Sequence, residues 1–366
     1  MFTSSKLTFL AITALAIGAA RSLDAAPVEI TSPELRGAIQ PQVAVAPAGA
    51  IHVVFGRKDT GTIYHVASRD GGRTFSKPVQ VAELPKLALG MRRGPRIVAT
   101  DKVVAISAIS HDDGNVHAWT SSDGGATWKE SANINDAPKS AREGLHAMTA
   151  GAQGAVFATW LDLRNKGTEL WGAASADGGA TWGANALIYK SPDGHICECC
   201  HPSAAMDAEG RIAVMWRNWL GGARDMYATL SSDGGKTFAA AQKLGTGTWK
   251  LNGCPMDGGA IALDAGGKPL TTWRREKTVF ATEGTRPEQR LADSALQSVV
   301  TTGKGGIYYL WQNGDSLMLK KGASSAVRLA ERGAFPAATP VPNRGPVVVW
   351  ESQANGANTI LAEVLD

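Results

Sequence analysis

The sequence predicts an all-β chain of repeated four-stranded units that close into a propeller, and three observations predict it. An octapeptide, Ser-x-Asp-Gly-Gly-x-Thr-aromatic, occurs four times. A second phrase, a small apolar strand followed by a Gly-containing turn and a strand often ending in Trp, recurs through the rest of the chain. The 366 residues include 42 Gly and 11 Trp with only 19% charged residues, a usage that excludes a coiled coil, a helical array or a disordered chain. Hydrophobic residues make up 44% and the net charge is +4, so a large core is affordable and polyelectrolyte character is absent. The lysines and arginines are scattered rather than gathered on one basic face, which argues against a nucleic-acid partner.

Residues 1–20 read as a signal peptide. Lys6 precedes an uncharged run from Leu7 to Ala20, which ends in the small residues Gly18, Ala19 and Ala20 before Arg21. The run is too short to span a bilayer, so the expectation is a soluble secreted or periplasmic protein with no membrane insertion. Residues 27–366 then form one propeller domain. The boxes lie at 68–75, 121–128, 175–182 and 231–238, and their aspartates Asp70, Asp123, Asp177 and Asp233 are 53, 54 and 56 residues apart. Strand-like runs flank each box, as in Thr62 to Val66 before the first and Pro78 to Val81 after it. The box is therefore a turn: Asp accepts backbone N–H bonds, Gly supplies positive φ, and the last aromatic packs the hairpin onto its own sheet. Two further strands precede each box, and the same phrase without a box recurs at Ala260 to Trp273, Ser298 to Trp311 and Ala337 to Trp350. The count is seven units, with six as the alternative if one blade has been split. The last unit runs out after three strands, and Val28 to Thr31 at the N-terminus is placed to complete it.

These boxes resemble the Asp boxes, or BNR repeats, of the sialidase-like β-propellers. The resemblance covers the mature chain as a repeat pattern. It implies a fold more than a reaction, because that superfamily includes glycoside hydrolases, lectin-like binders and scaffolds. In such a ring, the loops leading into each blade and those joining its second and third strands converge on one face, while the boxes sit near the opposite rim. A sialidase-type hydrolase clamps a carboxylate with three arginines and uses a Tyr–Glu pair and an Asp. Candidates for that chemistry are Arg93, Arg142, Arg164, Arg217 and Arg274 with His146 and Trp219 for ligand binding, and Asp112, Asp113, Glu276 and Tyr308 for catalysis. The family's Arg-Ile-Pro signature is missing, since Ile39-Gln40-Pro41 stands in its place.

All four cysteines fall on the same face. Cys197, Cys199 and Cys200 share one lead-in loop and Cys254 lies on the next, with His201 and Met256 close by. In an exported chain disulfides are the default for an even count. Pairing one of the three with Cys254 leaves the other two a few residues apart, where a bridge is strained. The alternative is a metal or redox site, because thiolates with His201 and the Met256 thioether make the soft donor set that selects copper or zinc. Three functional readings follow: a glycan or small anionic ligand on the Arg-rich face, bound and in one version hydrolysed; a periplasmic metal or redox centre at the cysteines; and a rigid scaffold for a protein partner.

Overall fold

The computed structural model describes residues 26–354 and 356–366; residues 1–20, read above as a signal peptide, lie outside them. Seven four-stranded antiparallel sheets form the blades of a propeller, and one 3-10 turn at Pro33–Leu35 is the only helical element among the described residues. The innermost strands are Ala38–Val45, Arg96–Ala99, His146–Ala150, Ser203–Met206, Ala260–Leu263, Ala295–Gly303 and Ala334–Thr339. Chain order runs outward in six blades. In the seventh, the outer strand is Val28–Glu29, paired antiparallel through Val28 with Ala362 and Glu29 with Leu361. The ring is thus fastened by joining its two ends in one sheet, as the incomplete last unit predicts.

The hydrophobic core is divided among the seven seams between blades. Trp160, Trp216, Trp273, Trp311 and Trp350 are each at most 2% exposed. Each lies on the second strand of its blade and packs in the seam with the blade before it. Burying an indole removes roughly 150–250 Å² from water, which explains why this position repeats Trp so persistently. The innermost strands surround a central cavity of about 410 Å³ lined by Val43, Val98, Met148, Ile261 and Val300 among others.

The boxes form the turns between third and fourth strands. In the second box, Asp123 Oδ1 accepts the amides of Ala126 and Thr127 at 3.0 and 2.9 Å, while Oδ2 accepts the Thr127 hydroxyl at 2.6 Å. The Ser121 hydroxyl donates to Asp123 and accepts the Gly125 amide. Bonds from the Thr hydroxyl, then its amide and the Ser hydroxyl, hold Asp70, Asp123 and Asp233 well below the usual carboxylate range. The box aromatics pack onto their own sheet, as expected, and also reach the preceding blade: Trp128 meets His65 at 5.2 Å between ring centroids, and Phe238 meets Phe157 at 5.8 Å.

The second glycine of the box shares that contact. Gly125 has φ +91, and a Cβ there would lie 2.0 Å from His65 Cε1; Gly234, with φ +73, faces open space. Gly234→Ala is therefore expected to cost about 1 kcal/mol, the backbone penalty alone, and Gly125→Ala about 3 kcal/mol or more. Urea unfolding of the two variants measures the difference. Equal costs would mean that the box does not clasp neighbouring blades.

Candidate functional site

The loops converge on one face as the topology requires, but most of the predicted arginines are already engaged there. Arg217 is 1% exposed. It donates to the carbonyls of Asp257 at 3.1 and 2.8 Å, Arg224 at 2.7 Å and Arg274 at 2.8 Å. Arg274 donates to Asp257 Oδ2 and to the carbonyls of Pro255 and Glu276. The Trp249 ring lies 5.2 Å from both guanidinium carbons. Arg164 lies over Trp171 and bonds Asp162, Asp136 and Asn185. These three are loop struts rather than a carboxylate clamp. Arg93 spends its Nε on the Glu143 carbonyl, and Arg142 is exposed, its carbonyl accepting from His111 Nδ1 at 3.1 Å. His146 is buried against the Ser107 hydroxyl.

The hydrolase quartet does not assemble. Tyr308 is buried in the seam between blades six and seven, and its hydroxyl donates to the Lys304 carbonyl in a turn of the opposite rim. Glu276 occupies an exposed hairpin turn on the loop face with φ +58, so no Tyr308–Glu276 pair exists. Asp112 is ion-paired with Lys86, and Asp113 closes its own loop through the Asn115 amide and His117. The reason lies in register: Tyr308 pairs with Thr301 near the far end of its strand, a position invisible without the strand boundaries.

The cysteine loop is the densest group of rare residues. All four thiols are free. Cys197 Sγ lies 3.7 Å from Cys199 Sγ and 3.4 Å from Cys200 Sγ, and the three sulfurs fall within 4.8 Å of one another, all buried. Arg224 Nη1 donates to Cys197 Sγ at 2.9 Å while its guanidinium lies over Trp219, which in turn stacks on His195. Met256 packs against the sulfurs, and Cys254 is exposed outside the trio. Burial opposes ionisation of Cys200, yet contacts with Cys197 and Cys199 and the nearby Arg217 hold it low; contact with Cys197 and Cys200 drives Cys199 up. His201 is not part of this set. Its Nδ1 accepts the Gly258 amide and its Nε2 faces the Gly259 carbonyl, and burial holds it neutral with a pKa lowered to about 3.

A second site escapes the sequence. A cleft of about 590 Å³ between blades six and seven is lined by Asp315, Arg332, Phe335, Glu351 and Asn358 with Gln312 and Gln353. Glu351 Oε1 accepts the Gln40 amide at 2.8 Å and its Nε2 at 3.0 Å, and Oε2 accepts Asn358 Nδ2 at 3.2 Å. Burial raises the Glu351 pKa to about 7, the Gln40 bonds and Arg92 pulling the other way. Phe335 adopts φ +49, unusual for an aromatic residue, and carries the Arg92 guanidinium 5.8 Å from its ring. A signal for Glu351 does exist. The residue after each of the five tryptophans at the equivalent second-strand position is Leu161, Arg217, Arg274, Gln312 and Glu351, and only one of these is acidic.

Fold and boxes together define a seven-bladed β-propeller with Asp-box turns. Residues 97–252 match the family described as BNR repeat-like domain. Solved structures agree on the fold. An α-L-arabinanase of Penicillium chrysogenum in complex with arabinobiose aligns with TM-score 0.53 and 15% identity over 93% of this chain and 97% of that one. An intramolecular trans-sialidase of Ruminococcus gnavus gives 0.52 and 10% over 90% and 94%. An ulvan lyase, representing a new family of polysaccharide lyase, gives 0.56 and 11% over 93% and 96%. No curated protein sequence matches the chain.

Proposed function

We propose that this is an exported carbohydrate-active propeller whose cleft between blades six and seven binds a glycan or small anionic saccharide and hydrolyses it, Glu351 being the acid. The observation that carries the reading is a buried carboxyl lining a 590 Å³ cleft and keeping its proton up to about pH 7. A glycosidic oxygen needs such a donor, and a second carboxylate, Asp315, lines the same cleft. Gln312, Gln353 and Asn358 offer amides to sugar hydroxyls, and the Phe335 ring offers an apolar face to a pyranose. The arabinanase, trans-sialidase and ulvan lyase named above, all carbohydrate-active, support the substrate class.

The test is a panel of neutral and uronate-containing oligosaccharides assayed for binding and for released reducing ends. Turnover should fall as pH rises through about 7, and Glu351→Gln should lower it by about 10²-fold or more. The same variant should be more stable than the parent at pH 8 by about 3 kcal/mol, because it removes a carboxylate that the fold must ionise while buried. Undiminished turnover in Glu351→Gln, or no saccharide bound by the parent, overturns the proposal.

A further inference from the structure

We infer that Cys197, Cys199 and Cys200 form a three-thiolate site for monovalent copper, separate from the cleft and independent of it. Metal–sulfur bonds of about 2.3 Å set sulfur–sulfur edges of about 3.8 Å in a tetrahedral site and about 4.0 Å in a trigonal one. The sulfurs already stand at 3.4 and 3.7 Å from Cys197 and all within 4.8 Å of one another, so closure on a metal needs shifts of less than about 1 Å. No disulfide occupies them.

The donor set selects the metal. Structural zinc takes four ligands, commonly with imidazole or a fourth thiolate. Here His201 has both ring nitrogens committed to Gly258 and Gly259, and Cys254 is exposed outside the trio. What remains is three buried sulfurs with the Met256 thioether packed against them, an all-sulfur environment that suits Cu(I). On binding, each sulfur coordinates as a thiolate, every thiol proton still present goes to solvent, and copper stays monovalent. The product carries excess negative charge, which Arg224 offsets from 2.9 Å. That guanidinium is itself fixed, lying 4.4 Å over the Trp219 ring and donating to the Leu251 carbonyl at 3.3 Å.

The full chain, reduced and handled anaerobically, is titrated with Cu(I) against a chromophoric chelator and then gel-filtered for metal analysis. One copper per chain is expected, with a rise in Tm on loading. Cys197→Ser and Cys200→Ser should each weaken binding at least a hundredfold, whereas Cys254→Ser should leave it unchanged. Melting of the metal-free variants checks folding, and copper-edge X-ray absorption of the parent, expected to show three sulfur neighbours, gives an answer that needs no variant. Absence of retained copper, a histidine nitrogen in the first sphere, dependence on Cys254, or zinc that copper does not displace overturns the assignment.

Discussion

Lowering the pH from 7 to 4 is expected to remove several kcal/mol of stability, a large part of what keeps the propeller folded. His52, His65 and His146 are each at most 3% exposed and held neutral. Burial lowers His52 to about 4, with Arg69 adding to it, and lowers His65 to about 3, with His52 adding to it. His146 is lowered well below its ordinary value by burial and by Arg96. Each is a base whose folded pKa lies below its unfolded one, so its contribution is complete above pH 6.5 and is lost as the pH falls toward the folded value. At 1.36 kcal/mol per unit, His52 and His65 together cost roughly 6 kcal/mol at pH 4, and His146 adds in the same direction. Glu351 works in the opposite sense. Its folded pKa is raised, so it withdraws stability as pH rises from 4.5 to about 7 and returns about 3 kcal/mol on the way down. The loss that remains is a large fraction of the whole stability of a domain, about 5–15 kcal/mol. Urea midpoints measured at half-unit intervals should drop steeply below pH 6.5, and His146→Gln, which can keep a bond to Ser107, should move the acid transition downward. A flat midpoint between pH 7 and 4.5 would sink the argument.

The residues behind this behaviour also show what a sequence can and cannot disclose. The repeat is legible because it is dictated locally: a box needs Asp and two glycines wherever it occurs, and the seam needs Trp at one strand position. Seven blades and the closing strand at Val28 follow from counting such units. The face is legible too, because topology assigns loops to rims without any knowledge of contacts. Side-chain commitments are not. His201 sits beside Cys200 in sequence yet turns its ring to Gly258 and Gly259 on the next lead-in loop. Arg92 crosses the mouth of the channel to bond Gln297 and the Pro336 carbonyl, over 200 residues away. Neither choice is encoded within a window of neighbours; both depend on how adjacent blades meet.

Arg217 makes the same point with a large expected effect. A sequence reading makes it a ligand clamp, and Arg217→Met would then leave stability nearly unchanged while destroying binding. The geometry requires the reverse. Four bonds run from one buried guanidinium to three carbonyls, joining blade four to the lead-in loop at Asp257 and the strand end at Arg274 of blade five. Charged hydrogen bonds of this kind contribute more than neutral ones, and a Met in their place leaves buried carbonyls without donors. A loss of about 4 kcal/mol is expected by urea unfolding. Arg217→Lys should recover little of it, since a compact ammonium cannot reproduce the planar fork that reaches Asp257, Arg224 and Arg274 together. Arg142→Ala, at an exposed position, should stay within about 0.5 kcal/mol. Because the Asp257 loop continues into Met256 and Cys254, the Met variant should also slow or weaken copper uptake, whereas Arg142→Ala should not. If Arg217→Met folds with full stability and loses saccharide binding instead, the clamp reading is restored and the cleft at Glu351 loses its claim as the binding site.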